Sequence, residues 1–143
     1  MAARFAAGSF VWTRFPFGPP HRPDVPGPIR HIAYVLGSRG EGAALHMLLA
    51  YTSSGPWRGA SPNPPNGVIE FDESSARPLN QRAFHIDLRC LARVPVSEAW
   101  FPDLALSERG VVAIAGPQLQ DRILKTAELL ASRSPQLIEI RGG

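Results

Sequence analysis

Proline and glycine punctuate this chain densely, and only one of the longer segments between them has the pattern of a regular helix. The 143 residues include 15 prolines and 13 glycines. Because proline ends helices and glycine favours turns, this distribution favours short strands and irregular loops over a helical bundle. The exception is the segment 118–132, which contains neither residue and whose apolar side chains share one helical face. They are Leu119, Ile123, Ala127 and Leu130.

The other apolar segments have the length and alternation of β-strands. Residues 83–91 alternate most clearly, with Phe84, Ile86 and Leu88 on one side and polar residues between them. The run at 43–51 contains helix formers, but its spacing from the preceding run favours a hairpin. Strands are predicted over 8–17, 29–37, 43–51, 67–71, 83–91 and 110–115, with loops over 18–28 and 55–67 and a helical turn from Pro95 to Trp100.

Strands followed by one packing helix predict a mainly β (α+β) chain with a C-terminal helix. We expect a small SH3-like antiparallel β-barrel or half-barrel. A single domain of 1–143 is expected, with its core at about 8–131 and a tail over 132–143.

Composition excludes several classes of site. The single cysteine, Cys90, allows neither an internal disulfide nor a cysteine-rich metal site. The four histidines show no close ligand spacing, so we expect no metal and no cofactor. The N-terminus lacks the apolar core of a signal peptide, and no run reaches the ~20 apolar residues of a membrane span. We therefore expect a cytoplasmic protein without membrane contact.

The chain is basic, with a formal net charge of +3 and a sequence pI near 9.7. Lys125 is its one lysine, so arginine supplies 14 of the 15 basic residues. Arginine suits planar, bidentate contacts with phosphate. A GC-rich coding sequence would favour arginine as well, so the charge permits a nucleic-acid partner without establishing one.

Three segments in order resemble the MazF/PemK-type toxins, the small barrel endoribonucleases of toxin–antitoxin pairs. Residues 8–17 (GSFVWTRFPF) resemble the opening strand, residues 30–37 (RHIAYVLG) the run into the next strand, and residues 48–53 (LLAYTS) a strand ending in Thr-Ser. Weaker matches lie at 84–89 and 114–119. The resemblance spans most of residues 8–131.

The resemblance implies a metal-independent, sequence-selective endoribonuclease acting on single-stranded RNA, the toxin of a type II pair. It further implies a homodimer and a cognate antitoxin protein that blocks the site. Arg30 and Thr52 carry over as the catalytic pair, with Ser53 beside them. A guanidinium matches the negative charge that a phosphorane gathers, and a hydroxyl can donate to the same oxygens. Without the resemblance, Arg30 is an ordinary charge at a strand end and Thr52 part of a turn cluster.

Histidine provides the candidates for proton transfer, because it titrates near neutrality whereas arginine keeps its proton. His31 stands where the family usually has proline after the arginine, and we expect its side chain to point away from that of Arg30. His85 lies on the polar side of its predicted strand. We expect one of these two histidines to assist proton transfer.

The predicted loops and strand ends supply candidate RNA contacts. A tryptophan beside an arginine can stack a base while the cation meets phosphate, although Trp57 could equally cap the barrel. The candidate substrate-binding residues are Arg14, Phe17, His21, Arg22, Trp57, Arg58 and His85.

Two other functions remain open. The unusual His31 and the recast, proline-rich loop before it favour a non-catalytic barrel that binds RNA or protein. A gyrase-poisoning toxin on a similar barrel ranks third, because such toxins rely on a tryptophan near the C-terminus and this chain ends Ile140-Arg141-Gly142-Gly143.

Overall fold

A computed structural model describes residues 5–16, 30–57, 63–102 and 110–131, and the backbone of 136–139. The strands are β1 (Ser9–Thr13), β2 (His31–Arg39), β3 (His46–Ser54), β4 (Val68–Phe71), β5 (Phe84–Pro95), β6 (Val111–Ile114) and β7 (Gln136–Glu139). The helices are α1 (Glu73–Ala76) and α2 (Pro117–Ala131), with 3₁₀ turns at Gly42–Ala44 and Arg77–Leu79.

The seven strands form one sheet in the order β4-β5-β3-β2-β1-β6, and β7 pairs with β5. All pairings along this order are antiparallel, whereas β7 runs parallel to β5. The prediction of a mainly β chain with one long helix near its C-terminus is confirmed, and the described strands form an open sheet.

Strand β5 is divided by an irregularity in its pairing with β3. Ala50 lies opposite Leu91, whereas the next residue, Tyr51, lies opposite Asp87. The three residues 88–90 therefore have no opposite residue on β3, a bulge of the kind that bends a strand. The first half of β5 pairs with β4 and the second half with β7.

Both faces of the sheet are covered by apolar side chains. One face carries Val11, Ala33, Val35 and Leu49 and is closed by Phe5, Trp100 and Phe101. The opposite face carries Phe10, Tyr34, Phe84 and Ile86, and α2 packs on it through Ile123 and Leu130. The alternation of the strands thus serves two cores, which explains the near-continuous apolar run in β2.

Several predicted boundaries are wrong, each because a backbone contact intervenes. β1 ends at Thr13, since the backbone N–H of Arg14 donates to the carbonyl of Trp100 (2.8 Å) outside the sheet. β3 begins at His46, after the 3₁₀ turn, and extends to Ser54. Pro95 ends β5 opposite His46, and the predicted turn begins later, where the backbone N–H groups of Trp100 and Phe101 both donate to the carbonyl of Ser97 (3.2 and 2.8 Å).

Two elements were not predicted. The short helix α1 begins after Asp72, whose carboxylate accepts from the backbone N–H of Ser75 (2.8 Å), a side-chain N-cap. Strand β7 lies in the segment predicted to be a tail. The prediction of one helix at 118–132 is confirmed at Pro117–Ala131.

Among the described residues, no helix combines the length and the hydrophobicity that crossing a membrane requires.

Candidate functional site

The predicted catalytic residues meet at the end of β3, but the sheet distributes them over its two faces. Ala33 lies opposite Tyr51 in the β2–β3 pairing. Continuing this register places Ile32 opposite Thr52 and His31 opposite Ser53, and neighbouring residues of a strand point to opposite sides. We call the side of Thr52 the threonine face and the side of Ser53 the histidine face.

On the threonine face, the Thr52 hydroxyl already has a structural partner. Its Oγ1 donates to the carbonyl oxygen of Ile32 at 2.5 Å, and the residue is only 3% exposed. The hydroxyl thereby ties β3 to β2 and lies beside Ile86, its partner on β5. This geometry favours a structural role for Thr52 over contact with a substrate.

Arg30 lies on the same face, immediately before β2. Its residue is exposed, and its guanidinium carbon lies 5.1 Å from the centroid of the Trp12 ring, over the ring. Such a cation–π contact orients the guanidinium. Arg30 and Thr52 therefore share a face, as the hairpin argument expects, although one is exposed and the other buried.

On the histidine face, His31 is stacked parallel on Tyr51, with ring centroids 5.3 Å apart. Its Nε2 donates to the carbonyl oxygen of Thr52. Because a carbonyl only accepts, Nε2 holds the proton of this hydrogen bond, which orients the ring. Tyr51 in turn lies 5.5 Å from Phe15, so the His31 ring is backed by the core of this face.

His85 stands on the other side of Ser53, which is its partner on β3. Its Nδ1 donates to the carbonyl oxygen of Gly55 at 3.0 Å, so the proton of this hydrogen bond is on Nδ1. The residue is 7% exposed, whereas His31 is half-buried. One carbonyl at each side of Ser53 therefore fixes the orientation of one imidazole.

The spacing of this row suits a phosphodiester. His31 and His85 lie on β2 and β5, the two neighbours of β3, so their backbones are about 9–10 Å apart from two strand spacings. Continuing the row, Glu70 of β4 lies opposite His85. The histidine face thus presents two oriented imidazoles with a serine hydroxyl between them.

An arginine–tryptophan pair borders this row. The guanidinium of Arg89 lies over the Trp57 ring, 5.0 Å from its centroid. The Trp57 and His85 rings are nearly perpendicular, with their centroids 6.0 Å apart. The backbone N–H of Trp57 donates to Glu70 Oε2 at 3.0 Å. Trp57 is thereby held between β4 and β5, with one ring face against Arg89.

Asp87 fixes the guanidinium of Arg89. Arg89 Nε donates to Asp87 Oδ1 at 2.9 Å and Nη2 to Oδ2 at 2.8 Å, a bidentate pair, and the backbone N–H of Arg89 also donates to Oδ1. These hydrogen bonds raise the pKa of Arg89 above its ordinary value. Arg89 is a permanent cation with a defined orientation.

Sequence patterns missed the roles of Tyr51, Asp87 and Arg89. The alternation at 83–91 places Asp87 and Arg89 on one side of a strand, which is the one signal that could have paired them. Their contact with Trp57 joins residues 32 positions apart and has no local signature.

Of five further residues predicted to contact RNA, the structure describes one. Arg14 is exposed just beyond β1. Phe17, His21, Arg22 and Arg58 lie outside the described residues. Within the described ranges, no cluster of three or more His, Cys, Asp and Glu side chains has the geometry to hold a metal ion.

Comparison with known proteins assigns no relative to this arrangement. No family model, no curated protein and no solved structure matches the chain.

Proposed function

We propose that this protein is a metal-independent endoribonuclease that cleaves single-stranded RNA on its histidine face. The observation that carries the proposal is the row His31–Ser53–His85. Two imidazoles flank one hydroxyl, and each is oriented by a hydrogen bond to a backbone carbonyl. Oriented imidazoles about two strand spacings apart can serve a general base and a general acid on opposite sides of one phosphate.

The chemistry needs one proton removed and one delivered. His31 Nδ1 takes the proton of a ribose 2′-hydroxyl, whose oxygen attacks the adjacent phosphorus in line. The bond from phosphorus to the 5′-oxygen breaks, and that oxygen receives a proton from protonated His85 Nε2. The products are a 2′,3′-cyclic phosphate and a free 5′-hydroxyl. His31 is the better exposed of the two, which suits its contact with the 2′-hydroxyl.

Positive charge at the strand end that precedes this row supports binding of the RNA backbone. Arg30 adjoins His31 in sequence and is exposed, with its guanidinium over Trp12 on the threonine face. From there a preorganised guanidinium can bind a backbone phosphate beside the one that is cleaved. Ser53, between the histidines, adds a hydroxyl donor.

The resemblance to MazF/PemK-type toxins supports the wider proposal. Under this wider proposal, the bent sheet is a barrel of the MazF/PemK type, and the protein is the sequence-selective toxin of a type II pair. It acts in the cytoplasm as a homodimer that a cognate antitoxin inhibits.

One observation favours a second candidate, a non-catalytic RNA-binding domain. The Thr52 hydroxyl, half of the catalytic pair that the resemblance implies, is buried and bonded to the Ile32 carbonyl. The Arg30–Trp12 and Arg89–Trp57 pairs would still bind single-stranded RNA without cleaving it.

The test is cleavage of a long single-stranded RNA in EDTA, with the fragment ends sequenced and their terminal groups identified. The wild type is compared with Arg30→Ala, and Arg39→Ala serves as the matched control because Arg39 is exposed at the other end of β2. We expect recurrent cuts at a short motif with 2′,3′-cyclic phosphate ends, weakened by Arg30→Ala alone.

The two candidate functions predict different results in this cleavage test. RNA that stays intact while it binds to folded protein would refute the nuclease and support the RNA-binding domain. RNA that neither binds nor breaks would refute both.

A further inference from the structure

Arg89 is more constrained than an arginine on a protein surface usually is. Asp87 holds one edge of its guanidinium through two hydrogen bonds, and the Trp57 ring lies against one face. Exposed arginines normally lose side-chain entropy when they bind a ligand. Here most of that entropy is already lost in the free protein, so a ligand that uses this orientation binds at lower cost.

The orientation leaves part of the guanidinium available. The Arg89 side chain is 40% exposed although its edge and one face are covered. The available parts are therefore the planar face that points away from Trp57 and the Nη1 end. A planar cationic face that is backed by an indole is a stacking surface for an aromatic ring.

We propose that the Arg89 face, supported by Trp57 and Asp87, is a subsite on which one unpaired nucleobase of single-stranded RNA stacks. This inference rests on the proposed function in that RNA is the ligand. Bases in single-stranded RNA are recognised by stacking on aromatic rings and on guanidinium planes. The subsite adjoins His85 through Trp57, so the stacked base belongs to a nucleotide near the cleaved bond.

The ion pair with Asp87 argues for a base rather than a phosphate. Asp87 occupies the Nε–Nη2 edge, which is one of the edges through which a guanidinium binds a phosphate at two points. A phosphate at this edge would have to displace a carboxylate that is only 13% exposed, at the cost of leaving that charge unpaired. Stacking on the open face leaves the ion pair intact.

Trp57 is suited to a supporting role. Its indole Nε1 is buried and has no hydrogen-bond partner among the described residues. An unpaired buried donor is unfavourable, so packing against Arg89 and His85, rather than a hydrogen bond of the N–H, keeps the ring in place.

The test measures binding of a 2′-O-methyl oligonucleotide, which lacks the attacking hydroxyl and stays intact. A set of otherwise identical probes carries one abasic position each. Wild-type protein is compared with Arg89→Lys, which keeps the charge but removes the planar face. Arg82→Lys is the matched control, since Arg82 is an exposed arginine just before β5.

We expect Arg89→Lys to weaken binding of the complete probe about tenfold, the size of one lost stacking contact. The dependence of binding on salt stays the same, because no phosphate contact changes. One abasic position should weaken wild-type binding by a similar factor and leave Arg89→Lys unaffected, because the variant and the probe remove the same contact.

Equal binding by Arg89→Lys and wild type would overturn the subsite while leaving the nuclease proposal intact. A weaker salt dependence in Arg89→Lys, with equal losses at every abasic position, would overturn it in favour of a phosphate contact. Absence of RNA binding by the wild type would overturn both proposals together.

Discussion

The two faces of the sheet at the end of β3 carry adjacent residues with opposite environments. On the threonine face, Thr52 is 3% exposed, and its hydroxyl donates a hydrogen bond to the Ile32 carbonyl. One residue further, on the histidine face, Ser53 stands between two histidines. The difference teaches that the existing hydrogen bond and the burial of a hydroxyl must be weighed beside its nearness to an arginine when a catalytic pair is inferred from a sequence.

The largest expected effect is a loss of RNA cleavage when the histidine face is altered. We expect His31→Ala to slow RNA cleavage about 100- to 10,000-fold, because general acid–base catalysis contributes that much. His46→Ala is the matched control, since His46 also donates to a backbone carbonyl but lies at the far end of β3. Initial rates on one RNA substrate measure both. Equal rates for His31→Ala and wild type would assign the chemistry elsewhere.

The next largest effect is a loss of stability at Gly67, where α2 lies close to Arg89 of β5. Gly67 has φ +100°, and an added Cβ would lie 2.4 Å from Leu130 on α2 and 3.2 Å from Arg89 Cγ. We expect Gly67→Ala to lower the free energy of unfolding by about 2 kcal/mol through overpacking and backbone strain. Urea denaturation measures it.

Gly37→Ala in β2 is the control for that substitution. An added Cβ there meets nothing within 4 Å. We expect its free energy of unfolding to stay within about 1 kcal/mol of the wild type. Equal losses for both variants would show that Gly67 holds no special position.

Thr52→Val tests the threonine face directly. The variant keeps the shape but loses the hydrogen bond to Ile32, so we expect stability to fall by about 1 kcal/mol. Cleavage should change by less than about threefold at a temperature where the protein is folded, because the hydroxyl is buried. A large loss of activity with unchanged stability would support the catalytic role that the sequence predicts for Thr52.

The smallest effect is a pH dependence of stability from Cys90, behind the histidine face. Burial raises the pKa of its thiol from 9.0 to about 11. The folded state therefore favours the neutral thiol, and this contribution is complete below pH 9.0 and declines as the pH rises toward about 11.

Urea denaturation from pH 8 to pH 11 tests this, with Cys90→Ala as the control. We expect the wild type to lose more stability than the variant over that range. The burial of Tyr34, which raises its pKa to about 12, contributes a decline to both proteins and cancels in the comparison. Identical slopes would contradict the assignment.

The spacing of apolar residues was sufficient to predict those elements whose whole pattern lies within one segment. The helix α2 and the first half of β5 follow directly from the spacing of apolar residues. The second half of β5 was missed because the bulge at 88–90 interrupts the alternation. The parallel pairing of β7 depends on a distant strand, which no local pattern reports.

In the candidate site, too, features set by local strand geometry could be predicted, whereas those set by distant contacts could not. The opposite orientation of His31 and Arg30 was predictable from strand geometry and agrees with their contacts to Tyr51 and Trp12. The burial of Thr52 was not predictable, because it depends on the Ile32 carbonyl across a strand pair.

The most direct test of the central claim is the pH dependence of single-turnover RNA cleavage in EDTA by the wild type and His31→Ala. If the histidine face performs the proton transfers, the wild type shows a bell-shaped profile, and His31→Ala loses the limb that belongs to the base. An identical profile in the two proteins would contradict the account, because His31 would then take no part in the proton transfer.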